Sequence, residues 1–251
     1  STFDGSLDEL EIFNRALTDA EIGARAAAPV LHFKFDGDFK DASAYGQGPV
    51  RMEGPNLCGV LGCYDRYPYV SSDGVMGGAL TFQNWIDAPW SAWNNAASND
   101  GYSVAQTIFL TPNQSLDMSS GRWTQAFWIY PNVLSFMEYE RDVRGMLRTP
   151  QNRRIGVLGS LSQANENYPF VELVGPTDAE NVAGSNLLRL RVGLSKACFV
   201  ETQQLLADTQ WRHVVLSYDN PTYSIYSNGV LVASLTLPPG CSAPDSAQIF
   251  F

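Results

Sequence analysis

Apolar and polar residues alternate with a period of two along several stretches of the chain. Leu31, Phe33 and Phe35 fall on one side of such a stretch, and His32, Lys34 and Asp36 on the other. Over 188–194 the pattern is sharper: Leu188, Leu190, Val192 and Leu194 point one way, while Arg189 and Arg191 point to a wet face. From Trp123 to Tyr130 both faces are apolar, which predicts a strand central in a packed sheet. Val214, Leu216 and Tyr218 mark another strand, followed by a hairpin whose Asn228-Gly229 turn favours positive φ at both central residues. The last two features predict a three-stranded meander.

Helical signal is confined to one place. Thr18-Asp-Ala-Glu21 fits a capping box, Ile22 supplies an apolar contact, and the alanine-rich run ends at Pro29. Two irregular stretches interrupt the strands. Residues 83–107 carry Trp85, Trp90 and Trp93, and residues 138–154 carry Arg141, Arg144, Arg148, Arg153 and Arg154.

Composition narrows the class. The 251 residues are 45% hydrophobic and only 17% charged, with 21 glycines and 14 prolines that break the chain into short strands. A net charge of −10 disfavours nucleic acid as a partner, because phosphate backbones are repelled. No stretch approaches the ~20 apolar residues of a spanning helix, so membrane insertion is not expected. The first residues, Ser1-Thr-Phe-Asp-Gly5, hold neither a methionine nor a signal peptide, as expected of a mature or excised chain. Cys58, Cys63, Cys198 and Cys241 allow three pairings, of which sequence proximity favours Cys58–Cys63 with Cys198–Cys241. Disulfides imply an oxidising compartment, extracellular or at the cell surface.

Three separated motifs resemble the laminin-G-like, concanavalin-A-like jelly-roll superfamily. One is Trp211-Arg-His213-Val-Val-Leu-Ser-Tyr218-Asp219 with its following hairpin. Another runs from Phe3-Asp-Gly5 through Leu7-Asp8-Glu9-Leu10-Glu11-Ile12-Phe13 to Leu17, and resembles the family's closing strand and capped turn. The third, Leu31-His-Phe-Lys-Phe35-Asp36-Gly37 with Asp41-Ala-Ser43, resembles its opening strand and acidic loop. The resemblance implies an all-β, two-sheet antiparallel jelly-roll sandwich with one short helix near the N-terminus.

The order of the motifs departs from the family. Residues 1–28 hold the closing strand and capped helix, ahead of a sandwich over 29–251 that lacks its own closing strand. That sandwich needs a strand to cover its open edge. Residues 1–17 either fold back on their own sheet or complete another copy, with Leu7, Leu10, Ile12 and Phe13 as the assembling residues; a slice of a longer repeat array is a third arrangement. The leading expectation is an extracellular structural or adhesive module that assembles head to tail with other copies of itself. The alternative is a calcium-assisted carbohydrate-binding module.

Candidate chemistry divides accordingly. Asp36, Asp38, Asp41 and Ser43 fall within eight residues after the opening strand, and Asp8 joins them if the closing strand docks nearby; hard oxygen ligands at this spacing suit Ca²⁺. Trp85, Trp90 and Trp93 could stack on the rings of a glycan. No enzyme is expected. His32 and His213 lack a nucleophile context, and Asp8-Glu9-Leu10-Glu11 puts only Glu9 and Glu11 on a common face.

Overall fold

The computed structural model describes residues 5–24, 28–46, 50–53, 56–59, 62–65, 68–82, 107–110, 120–131, 154–158, 170–175, 187–195, 197–203, 205–206, 209–241 and 249–250. In chain order these hold β1 (Gly5–Phe13), α1 (Asp19–Ala24), β2 (Leu31–Phe33), β3 (Val50–Glu53), β4 (Asn56–Gly59), β5 (Gly62–Asp65), β6 (Tyr69–Ser71), β7 (Ala79–Phe82) and β8 (Thr107–Leu110). They continue with β9 (Arg122–Pro131), β10 (Arg154–Leu158), β11 (Phe170–Val174), β12 (Arg189–Gly193), β13 (Phe199–Glu201), β14 (Arg212–Asp219), β15 (Thr222–Ser227), β16 (Val230–Thr236) and β17 (Ile249–Phe250).

Two antiparallel sheets form the sandwich. The larger has the order β16-β15-β14-β9-β1-β7-β6, with β2 also paired to β1; the smaller has the order β10-β11-β12-β13. Their inner faces share one core, in which Leu7, Trp123, Phe127, Val214 and Tyr218 of the large sheet join Val171, Leu173, Leu190 and Val192 of the small one. Two minor groups stand apart, β17-β8-β3 and the hairpin β4-β5. No helix among the described residues is long and apolar enough to cross a membrane.

The expected meander forms as β14-β15-β16, and Asn228 and Gly229 at its turn have φ of 49° and 79°. The capping box also forms: Glu21 N–H donates to Thr18 Oγ1 at 3.3 Å while Thr18 N–H donates to Glu21 Oε2 at 3.0 Å. The helix it starts lies on the outer face of the large sheet, where Leu17 and Ile22 pack on Ala126, Val215 and Tyr226. Residues 25–27 of the alanine run lie outside the described residues.

Residues 5–13 pair within their own chain, where the leading expectation had them complete a neighbouring copy. β1 pairs antiparallel with the chain's own β9, from Gly5 opposite Pro131 to Phe13 opposite Thr124, and with β7 on its other side. Leu7, Leu10 and Ile12 are fully buried and Phe13 is 5% exposed, so the residues expected to assemble are already enclosed in this sandwich. The physical reason is proximity: a strand tethered to its own sheet reaches the open edge without the loss of freedom that association with a second molecule requires.

Two further expectations change. The face of β12 opposite the core is not wet throughout, because Arg191 is 5% exposed, with its guanidinium 3.5 Å from the Phe199 ring centroid and 3.7 Å from Glu172. The opening strand ends early, at Phe33; Phe35 still reaches the core, but from a left-handed φ of 56° rather than by strand alternation.

Candidate functional site

Asp8 lies on β1 opposite Trp128 of β9, yet it is completely buried. Its cover is the turn between β6 and β7. Asp8 Oδ2 accepts hydrogen bonds from the Val75 and Met76 amides at 2.7 and 3.1 Å. Asp36 holds the far end of the same turn, its Oδ1 accepting from Gly78 N–H at 2.9 Å. Gly77 adopts φ of +98°, and a side chain there would collide with the Asp36 carboxylate. Among the described residues Asp8 Oδ1 has no hydrogen-bond partner, and burial pushes the Asp8 carboxyl above its ordinary value despite the amides that oppose the shift.

The remaining residues of the acidic loop do not gather with these two. Asp41 Oδ1 accepts from the His32 and Ser43 amides at 2.9 Å each, and Ser43 O–H donates to Asp41 Oδ2 at 2.8 Å. Asp38 caps Lys40 N–H at 3.0 Å and pairs with the Lys40 ammonium at 3.5 Å. Among the described residues no group of three or more His, Cys, Asp or Glu side chains has the arrangement of a metal site.

A register shift between Asp8 and Glu11 alters the expected facing of the carboxylates. Glu9 takes φ of 48°, and Asp8 and Glu11 then stand opposite Trp128 and Ala126, two alternate residues of one face. Glu9 turns to His32, with Oε2 2.6 Å from Nε2; Glu11 Oε1 lies 3.9 Å from the same nitrogen.

The same outer face carries a patch of rings that the sequence reading did not single out. Trp128 and Tyr130 are two residues apart on β9, and Trp211 and His213 are two apart at β14, so each pair shares a face. His213 stands opposite Trp128, with ring centroids 5.1 Å apart; the Tyr130 and Trp211 centroids are 5.5 Å apart. All four rings are partly exposed. The row through Tyr130 extends over the sheet: Ser6 of β1 is opposite Tyr130 and Thr81 of β7, and Tyr69 of β6 is opposite Thr81. Tyr69 is 42% exposed. The signal was available as two aromatic-x-aromatic spacings, but it became a patch only when β9 and β14 paired in register.

Trp85, Trp90 and Trp93 lie outside the described residues. Cys198 and Cys241 form a disulfide, as sequence proximity favoured. Cys58 and Cys63 stand directly opposite each other on β4 and β5, but their side chains lie outside the described residues.

A family profile described as the concanavalin A-like lectin/glucanases superfamily matches residues 99–251. Among solved structures, domain 4 of a GH43 extracellular arabinanase from Geobacillus stearothermophilus, in complex with arabinotriose, is 18% identical; the match covers 88% of this chain and 81% of that one, with a TM-score of 0.48. Botulinum neurotoxin type C, whose cell entry depends on interaction with two ganglioside molecules, is 14% identical; the match covers 93% of this chain and 44% of the toxin chain, with a TM-score of 0.47. No curated protein matches the chain. With a profile match over more than half its length and a two-sheet antiparallel sandwich to carry it, the chain belongs to the concanavalin A-like lectin/glucanases superfamily.

Proposed function

We propose that this protein is an extracellular, non-catalytic carbohydrate-binding module, and that it holds a neutral saccharide on the outer face of the large sheet. The observation that carries the reading is the patch of Trp128, Tyr130, Trp211 and His213, four partly exposed rings in two contacting pairs on one rigid sheet. Flat apolar rings with polar edges match the C–H faces of sugars, and rings held by two hydrogen-bonded strands lose little freedom on binding. Membership of a superfamily of lectins and glucanases agrees with a saccharide ligand. A net charge of −10 favours neutral saccharides over sulfated or uronate-rich ones.

Binding without hydrolysis is supported by the state of the carboxylates. Glycoside hydrolysis uses two carboxyl groups flanking the scissile bond. Here Asp8 is sealed beneath a turn and Glu9 is held by His32. The Cys198–Cys241 disulfide agrees with an extracellular location.

Calcium belongs to the proposal through Asp8 and Asp36. A buried carboxylate oxygen without a partner fits a hard cation beside it, since the alternative is an uncompensated charge in a poor solvent. Asp8 and Asp36 would hold the ion, with carbonyl oxygens and water completing its shell, and its charge would lock the turn that covers Asp8.

Isothermal titration of the chain against a panel of neutral oligosaccharides tests the reading. Trp211→Ala is expected to abolish binding while leaving the melting temperature within a few degrees of the parent. A parent chain that binds no saccharide of the panel, or a Trp211→Ala variant that binds unchanged, overturns it.

A further inference from the structure

We infer that the saccharide lies across the strands rather than along them, on the row Tyr69, Thr81, Ser6, Tyr130 and Trp211, with Ser6 Oγ as its central hydrogen-bond acceptor. The inference rests on the saccharide-binding reading above and adds a direction, a length and a polar anchor to it.

The polar anchor follows from counting protons. Thr81 O–H donates to Ser71 Oγ at 3.0 Å, and Ser71 O–H donates to the Ala79 carbonyl at 3.5 Å. A hydroxyl has one proton to give, so Thr81 has none left for Ser6. Ser6 and Thr81 are nevertheless 2.9 Å apart, so Ser6 O–H donates to Thr81 Oγ1. The three hydroxyls form a chain with one sense, from Ser6 through Thr81 and Ser71 to a backbone carbonyl. The head of that chain is an oxygen whose proton is committed and whose lone pairs accept, and polarisation along the chain strengthens it. Ser6 is partly exposed in the middle of the row. Its matching ligand group is a hydroxyl that donates, which every neutral sugar presents.

The direction follows from what surrounds the rings. Along β9 the outer face runs from Tyr130 through Trp128 to Ala126, and there Leu17 and Ile22 of the α1 region cover it. The Val75–Met76 turn rises over Asp8, next to Trp128. A ligand lying along the strands meets the helix within two alternate positions. Across the strands the face continues over β14, β9, β1, β7 and β6, ending on the exposed ring of Tyr69. Four strand spacings make this row about 19 Å long. A sugar ring covers about one strand spacing, so the row takes a linear oligosaccharide of several residues, with rings at both ends and Ser6 between them.

The experiment titrates the full chain with neutral cello-, xylo-, manno- and arabino-oligosaccharides from mono- to hexasaccharide. Affinity for the series that binds is expected to rise with length until the row is filled. Tyr69→Ala is expected to lower affinity about tenfold for the longer members and to leave the shortest binding member unchanged; Ser6→Ala and Thr81→Val, which remove the acceptor or break the relay that polarises it, are expected to cost about fivefold. Tyr69 stands exposed on an edge strand, so its removal leaves the core intact; melting temperatures confirm that for all three variants. Affinity without length dependence, or unchanged by Tyr69→Ala at every length while Trp211→Ala still abolishes binding, overturns the direction and spares the saccharide-binding reading. A parent chain that binds nothing in the panel overturns both.

Discussion

Asp8 accepts the Val75 amide hydrogen bond at 2.7 Å across 67 residues of sequence, and this contact seals a carboxylate inside the sandwich face. Desolvation is the largest influence on the Asp8 carboxyl and raises it above its ordinary value of 3.8; the Met76, Val75 and Glu9 amides oppose the shift without cancelling it.

A raised carboxyl binds protons more tightly folded than unfolded. Relative to a group with no shift, Asp8 therefore adds stability below its unfolded value, and that stability is lost as pH rises through the folded value. Asp8→Asn keeps an acceptor for the two amides and removes the titration. In EDTA, the difference in unfolding free energy between variant and parent is expected to move in favour of the variant on going from acid to neutral pH. A difference that stays constant with pH would show that the carboxylate is not strained by its burial.

Calcium reverses that expectation at neutral pH. Adding millimolar Ca²⁺ after EDTA is expected to raise the melting temperature of the parent by mass action on the folded state, and to leave Asp8→Asn unmoved. Asp36→Asn should show a reduced shift. Equal shifts in parent and Asp8→Asn would place the ion elsewhere; no shift in the parent would remove calcium from the proposal.

Arg191 and Glu172 are each about 5% exposed and lie on facing positions of β12 and β11. Glu172→Gln leaves the guanidinium charge buried against a neutral partner and is expected to cost about 3 kcal/mol in urea unfolding. Replacing both by apolar residues of similar volume, Arg191→Met with Glu172→Leu, should cost markedly less. If the double variant is the worse of the two, the pair contributes more than the removal of its desolvation cost restores.

The capping box gives a local test. Thr18→Ala removes the hydroxyl that accepts the Glu21 amide, while the Thr18 N–H keeps its bond to Glu21 Oε2, and is expected to lower stability by about 1 kcal/mol in denaturant unfolding, with Thr18→Ser close to the parent. The Arg15 guanidinium, foremost, and the Thr18 cap hold the Glu21 carboxyl down at about 2. Its stabilising contribution is therefore present above the ordinary glutamate value and is lost as pH falls towards 2. An unchanged midpoint in Thr18→Ala would mean that the contacts of Leu17 and Ile22 alone hold the helix in place.

Much of this protein was legible from local pattern. Alternation at 188–194 placed four aliphatic side chains in the core, Asn228-Gly229 specified a hairpin, and Thr18 with Glu21 specified a helix start, because each depends on residues within one strand, turn or cap. The family motifs marked a strand at the N-terminus, and residues 5–13 form one, β1, paired with β9.

What local pattern could not supply is anything that depends on which strands meet. The docking of residues 5–13 on their own sheet, the bulge that brings Asp8 and Glu11 to one face, the burial of Asp8 under a turn near residue 75, and the meeting of Trp128 with His213 all follow from pairing register between distant segments. Alternation tells each strand which side chains share a face, but not which neighbour that face will have. That is settled when the sheets close on a common core and strands far apart in sequence come into register.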